Sequence, residues 1–270
     1  MDHRPIGVFD SGLGGLSALR TLEEILPSEN FIYFGDSGRM PYGGRSEEEI
    51  TAFTAQILRF LCEREVKLLV VGCGTISAVA MPHLAASCPV PFVDVITPAS
   101  ETAVRLTKSG HVGVLATEAT VRSGAYKKTM LGLNPALMIT QTPAPLLAPL
   151  VETGHLTIDD PELRSAVEES VAPLREAGPD TLILGCTHYP LIAGPIGAMM
   201  GEGVQLVSNG GEAAHRASEI LAESDMLAPT DARGETVFYT TGDAEVFSGT
   251  AARMLGRPIT VRTVNIEDLK

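Results

Sequence analysis

Basic residues are scarce in this chain: 20 lysines and arginines stand against 33 aspartates and glutamates, a formal net charge of -13. A surface of that sign repels phosphate backbones and anionic lipid, so neither nucleic acid nor a membrane is an expected partner. No apolar run approaches the roughly 20 residues needed to span a bilayer. The opening residues Met1-Asp-His-Arg-Pro-Ile6 lack the basic start and apolar stretch of a secretory signal. A cytoplasmic location is therefore the expectation. Cysteine is also sparse: Cys62, Cys73, Cys88 and Cys186 make up the whole set, with no CxxC pair. In a reducing compartment such cysteines are not a disulfide framework. Lysine occurs only at 67, 108, 127, 128 and 270, none of them in a strand-end turn. A pyridoxal-phosphate enzyme, which needs a Schiff-base lysine, has no good candidate here.

What remains is an ordinary globular composition, 44% apolar over 270 residues, with no long linker or low-complexity segment. Short β-branched runs alternate with helical patterns throughout. Ile6–Phe9, Phe31–Phe34, Leu68–Val71, Pro91–Val95, Val112–Leu115, Leu137–Ile139, Leu182–Leu184, Val204–Val207 and Thr236–Thr240 read as buried strands. Near-continuous apolar strands separated by helices predict an α/β fold with a largely parallel sheet covered on both faces. Ser46-Glu-Glu-Glu49 has the form of a capping box, and Asp160 before Pro161 that of a helix N-cap.

The strand ends carry a faint duplication. Ile6-Gly-Val-Phe-Asp-Ser11 and Leu69-Val-Val-Gly-Cys-Gly-Thr75 in the first part match Val112-Gly-Val-Leu-Ala-Thr117 and Leu182-Ile-Leu-Gly-Cys-Thr187 in the second. Each half offers a hydroxyl at one strand end and a glycine-cysteine at another. Parallel α/β sheets bind ligands outside the carboxyl ends of their strands, so two such halves face to face would set Cys73 and Cys186 across one cleft.

Cys73 precedes Gly74-Thr75-Ile76-Ser77, where Thr75 or Ser77 is a candidate helix cap, and the positive end of that helix favours thiolate. Cys186 is followed by Thr187, by His188, which can polarise the thiol, and by Pro190, which often opens a helix. Either cysteine alone also reads as a buried small apolar residue, as Cys62 and Cys88 do. Cys73, Cys186 and His188 are also possible zinc ligands, without an evident fourth. Asp10-Ser-Gly-Leu-Gly-Gly15, with Asp36 at the next strand end, invites a dinucleotide reading, but Ser17 stands where the third glycine belongs. Asp10 would also aim a carboxylate at the pyrophosphate. The same carboxylate suits an ammonium group or a proton relay. Glu152, after Pro149-Leu-Val, reads by itself as a solvated charge.

Taken together, Gly7–Leu16, Tyr33–Gly43, Gly72–Ala78, Leu184–Leu191 and Phe238–Asp243 resemble the motifs of the glutamate racemase family, within the aspartate/glutamate racemase superfamily. The resemblance runs in the family's order along nearly the whole chain. It implies two pseudo-symmetric three-layer α/β domains, residues 1–96 plus 209–270 and residues 97–208, with the active site in the cleft between them. It implies Cys73 and Cys186 as acid/base thiols, Asp10 and His188 as their assistants, and Asp36 and Glu152 as further acidic residues of the catalytic site. Ser11, Pro41, Tyr42, Gly43, Gly74, Thr75, Thr117, Thr120 and Thr187 fall on substrate-holding positions. No cofactor and no metal is implied. The expected partner is a small acidic amino acid, with a homodimer as the assembly to consider, and the role is D-glutamate supply for peptidoglycan, hence cell-wall biogenesis and cell shape. One position departs: where the family usually has asparagine after the first cysteine, this chain has Gly74. A racemase of aspartate or another amino acid, or an amino-acid-binding relative with weakened catalysis, remains open beside racemisation of glutamate.

Overall fold

The computed structural model describes residues 2–230 and 233–269, so Lys270 lies outside the described residues. Every apolar run read as a strand forms one: β1 (Ile6–Asp10), β2 (Phe31–Gly35), β3 (Leu68–Val71), β4 (Phe92–Val93), β5 (His111–Ala116), β6 (Met138–Pro143), β7 (Thr181–Leu184), β8 (Gln205–Ser208) and β9 (Thr236–Thr240). A further strand, β10 (Val261–Thr263), carries exposed Arg262 and Thr263 and pairs along β9. Its pattern gave no apolar signal because an edge strand is held by its backbone ladder rather than by buried side chains.

All strand pairs are parallel, in two sheets ordered β10-β9-β2-β1-β3-β4 and β6-β5-β7-β8. Within each, a first strand (β1 or β5) lies between its second and third, with the fourth outside the third. The duplication suspected from the strand ends is thus present as repeated strand order, extended in the first sheet by β9 and β10.

Both faces of each sheet are covered. Along β3, Leu68 and Val70 enter one core and Leu69 and Val71 the other, and in β7 Leu182 and Leu184 point opposite to Ile183. Side chains that alternate direction while all remain buried explain why these strands read as unbroken apolar runs. Each fully buried Leu, Ile or Val contributes roughly 1.5–3 kcal/mol of transfer free energy.

The helix starts obey local chemistry. Ser46 accepts from the Glu49 N–H at 3.2 Å while Glu49 accepts from the Ser46 N–H at 3.1 Å, opening the helix Glu47–Cys62. Asp160 accepts from the backbone of Glu162 and Leu163 ahead of the helix Pro161–Ala177. The helix Asn209–Glu223 ties the two sheets together. It packs so closely on the helix Leu16–Ile25 that a Cβ at Gly210 would lie 2.9 Å from Ser17 Oγ. On its other side Glu212 accepts from Thr102 Oγ1 at 2.6 Å, on the helix Thr97–Leu106.

At the amino ends of β1 and β3, remote from the strand ends that matter below, Lys67 is fully buried. Its Nζ donates to the carbonyls of Asp2 and Met226, each at 2.7 Å, and lies 2.6 Å from Glu29 Oε2 in a charge contact off the hydrogen-bond line. Lys67→Met removes the cation and strands the Glu29 carboxylate in the interior, an expected loss of about 3–5 kcal/mol in urea unfolding. Activity per folded molecule should be unchanged.

Candidate active site

The carboxyl ends of β1, β3, β5 and β7 meet at a cavity of about 110 Å³ between the two sheets. Strand order makes this the place: first and third strands are neighbours whose connections leave in different directions, which opens a crevice at their ends. From the first sheet come Asp10, Ser11, Pro41, Tyr42, Cys73, Gly74 and Thr75, and from the second Thr117, Glu152, Cys186, Thr187 and His188. A larger groove of about 470 Å³ lies beside Glu23 and Arg257, but no cysteine lines it.

Cys73 directly precedes the short helix Gly74–Val79 and is itself the N-cap residue, in extended conformation with no side-chain cap. Thr75 and Ser77 lie inside that helix, which corrects the expectation that one of them caps it. Thr75 Oγ1 instead meets Thr117 Oγ1 of the other sheet at 3.2 Å, and Ser77 Oγ accepts from the Val95 N–H. The Cys73 sulfur lies 3.5 Å from Ser11 Oγ. Burial, with the Asp10 carboxylate adding to it, pushes this thiol up to about 12. The expectation of a helix-stabilised thiolate is corrected as well: removing water from a charge outweighs the few backbone contacts that favour it.

Asp10 is buried at the end of β1. Its Oδ1 accepts from the Gly12 N–H at 2.6 Å and its Oδ2 from Thr187 Oγ1 at 3.5 Å. Burial raises the carboxyl to about 6, with His188 and the Gly12 N–H restraining the rise. Tyr33, on β2, donates to the Gly12 carbonyl at 3.0 Å and so braces this loop.

Cys186 follows β7 and lies 3.5 Å from His188 Nδ1. On the far side of the ring, His188 Nε2 is 2.9 Å from Glu152 Oε1, a charge contact that is off line for a hydrogen bond. Burial alone would lower the imidazole. Its contacts with Cys186 and Glu152 overcome that and hold it well above its ordinary value. Cys186 therefore faces a cation and Cys73 a carboxyl group. Pro190 opens a short 3-10 turn, Tyr189–Ile192, rather than a full α-helix.

Three of the expected site residues do not reach the cavity wall. Asp36 is fully buried behind it: Oδ2 accepts from Arg39 Nε at 2.7 Å and from the Tyr42 hydroxyl, and Oδ1 from Thr241 Oγ1 at 2.6 Å. With both oxygens engaged it holds Tyr42 in place instead of meeting a ligand. Gly43 faces open space. Thr120 is buried beneath Thr117, accepting from its hydroxyl at 2.9 Å. Conversely, Gly12, Met40, Ala148, Pro149 and Gly185 line the cavity without having been singled out. Pro149 precedes Glu152 by one helical turn on the same face, which is the signal that would have found it.

Two rival readings fit the geometry poorly. Among the described residues no group of three or more His, Cys, Asp or Glu side chains is placed to hold a metal ion, so zinc has no donor set. The glycine turn after β1 is covered by the second sheet, with a Cβ at Gly14 falling 2.4 Å from Thr187 Oγ1. A pyrophosphate has no room there. No helix among the described residues is long and apolar enough to cross a membrane.

Known proteins resemble this chain over almost its full length. The sequence profile of the Asp/Glu/Hydantoin racemase family matches residues 6–217. A glutamate racemase of Bacillus cereus is 40% identical over 257 residues, covering 95% of each chain. The crystal structure of glutamate racemase isoform RacE1 from Bacillus anthracis superposes with a TM-score of 0.94 at 36% identity, covering 98% of this chain and 99% of that one. Glutamate racemase from Francisella tularensis, crystallised with D-glutamate, gives 0.90 at 34% identity over 98% of both chains. With this sequence match, this fold and paired thiols at the ends of equivalent strands, the chain belongs to the Asp/Glu/Hydantoin racemase family of isomerases.

Proposed function

We propose that this protein interconverts L- and D-glutamate without a cofactor, by proton transfer at Cα between Cys73 and Cys186, and so supplies D-glutamate for peptidoglycan in the cytoplasm. The observation that carries the reading is the placement of two buried cysteines at equivalent strand ends on either side of one small cavity. The relatives named glutamate racemases, one of them crystallised with D-glutamate, support the choice of substrate.

The chemistry follows from the surroundings of each sulfur. One thiolate takes the α-hydrogen as a proton, forming an S–H bond and leaving the C–H electron pair on Cα. The opposite thiol then gives its proton to the other lobe of that carbanion and becomes the thiolate. With its thiol raised to about 12 by burial, Cys73 rests protonated and starts as the donor. Asp10 receives the proton when Cys73 must act as base, and His188, held charged beside Glu152, is the counter-charge and proton source for Cys186. Among the described residues no lysine or arginine lines the cavity, so the substrate carboxylates are met by neutral donors: the hydroxyls of Ser11, Thr75, Thr117 and Thr187. In a buried site such donors stabilise the developing negative charge strongly. Residues 1–96 plus 209–270 and residues 97–208 act as the two units between which the substrate is held. Aspartate or another amino acid is the second reading, favoured by Gly74 where the family usually has an asparagine. A chiral assay across a panel of amino acids decides between them.

Cys73→Ala and Cys186→Ala should each lower racemisation by about 10²–10⁴-fold, the usual worth of a positioned acid or base, measured by loss of optical activity from L-glutamate. Near-normal turnover in either variant rules out the two-thiol scheme.

Asp10 has a native carboxyl at about 6 against an ordinary 3.8. A raised acid stabilises the fold at low pH, and that contribution is lost as pH rises through 6; it amounts to about 3 kcal/mol. Catalysis needs the ionised form and runs the other way. The acid limb of the kcat/KM profile should therefore fall below about pH 6. In Asp10→Asn that limb should vanish, kcat should drop, and resistance to urea at pH 8 should increase.

A further inference from the structure

The turn that follows β1 has one residue held at both of its polar ends. The Gly12 N–H donates to Asp10 Oδ1 at 2.6 Å, and the Gly12 carbonyl accepts from the Tyr33 hydroxyl at 3.0 Å. The carbonyl is received by β2, whose register sets Gly35 beside Asp10. Residues two apart on a strand share a face, so Tyr33 and Gly35 act on the same side. Gly35 is bare where a Cβ would collide with the Gly12 oxygen, and Tyr33 supplies the donor.

The tyrosine is itself fixed. It is fully buried, with its ring centre 6.1 Å from that of Phe238 and 6.3 Å from that of Phe247. A phenol has one proton to donate, and here it goes to Gly12. Burial, with the charges of Asp10, Cys73 and Glu152 adding to it, keeps that phenol well above its ordinary range. It therefore stays protonated and donating wherever Asp10 titrates. Tyr33 does not line the cavity, and a phenylalanine would fill the same place in the core. What the hydroxyl adds is a hold on Gly12.

We infer that Tyr33 is a positioning residue for Asp10: by holding the Gly12 carbonyl it aims the Gly12 N–H at the carboxylate that takes the Cys73 proton. The inference rests on the two-thiol reading above. From the elements packed around it, Asp10 is also faced by Cys73 at the end of β3, by His188 after β7 and by Glu152 on the helix Leu147–Thr153. His188 favours the ionised carboxyl and Glu152 opposes it, and all three groups are kept when only the phenol oxygen is removed. In Tyr33→Phe the buried Gly12 carbonyl loses its donor, the residue turns to find another, and its N–H leaves the line to Asp10. A hydrogen bond to an ionised group stabilises the charge. Weakening it makes the carboxyl harder to ionise and moves the acid limb of the kcat/KM profile upward.

The experiment is the kcat/KM profile for L-glutamate, from about pH 5 to 8, of the parent, Tyr33→Phe, Asp10→Asn and the double variant. In Tyr33→Phe the limb should move from about pH 6 to about pH 7, so that activity at pH 6 relative to pH 8 drops from about half to about a tenth. KM at pH 8 should be unchanged, since no substrate contact is lost. Adding Tyr33→Phe to Asp10→Asn should alter kcat/KM by less than about twofold, because the group it acts through is already gone. Tyr239→Phe removes a hydroxyl on the adjoining strand β9 that meets Arg262 instead, and should keep the parent profile. A folded Tyr33→Phe protein with the parent's limb overturns the proposal, as does an equal loss with and without the Asp10 carboxyl. A limb that persists in Asp10→Asn overturns it too. If Tyr33→Phe does not accumulate as folded protein, 3-fluorotyrosine placed at position 33 decides: the ring is kept and the hydroxyl is a stronger donor. The limb should then move down, and an unmoved limb overturns the proposal. Failure of the underlying reading shows separately, as racemisation surviving Cys73→Ala or Cys186→Ala.

Discussion

Water is kept from two sulfur atoms and one carboxyl by the way two parallel sheets meet at their strand ends, and the protonation states available in the cavity follow from that exclusion. Burial alone would suppress every charge there. The site escapes that outcome on one side only: Cys186 lies against an imidazole held up by Glu152, while Cys73 lies near a carboxyl held up by burial. A reaction that needs one thiol and one thiolate at the same moment is served by unequal surroundings of this kind.

The scaffold around the cavity is stiff for identifiable reasons. Buried polar groups behind the wall are paired: Asp36 by Arg39, Tyr42 and Thr241, and the Gly12 carbonyl by Tyr33. Thr241 follows β9, so the returning chain after the second sheet braces the loop that carries Pro41 and Tyr42. This accounts for the presence of Phe238–Asp243 among the recognisable motifs even though none of its residues lines the cavity. Motif membership marked Asp36 as part of the site, and the structure gives it a supporting position one layer behind the surface where a ligand would lie.

The halves also meet through contacts that leave little slack. Thr75 against Thr117 and Thr187 against Asp10 are polar contacts across the cleft, and Gly14 and Gly74 lie close to Thr187 and to the Gly185 carbonyl. Hydroxyl pairs of this sort can be exchanged for hydrogen bonds to a substrate carboxylate at little net cost, whereas a backbone contact cannot be exchanged for anything.

The sequence by itself determined the strands, because those at the centre of each sheet are buried on both faces and must be apolar along their length, and the helix caps at Ser46 and Asp160, which need only neighbours a few residues away. It also pointed to Cys73 and Cys186 as a pair, since a glycine-cysteine recurs at a strand end in each half. Edge strand β10 escaped notice because its stability lies in a ladder to a distant segment. Only the tertiary structure decided which way the Cys73 thiol titrates, because the local helix and the distant burial oppose each other and burial comes from residues far along the chain. It likewise decided that Asp36 and Thr120 stand behind the wall and that Gly74 abuts Gly185. The Gly74–Gly185 approach joins distant segments of the chain, and the cavity wall in front of Asp36 and Thr120 is likewise assembled from both halves, so no local pattern encodes either.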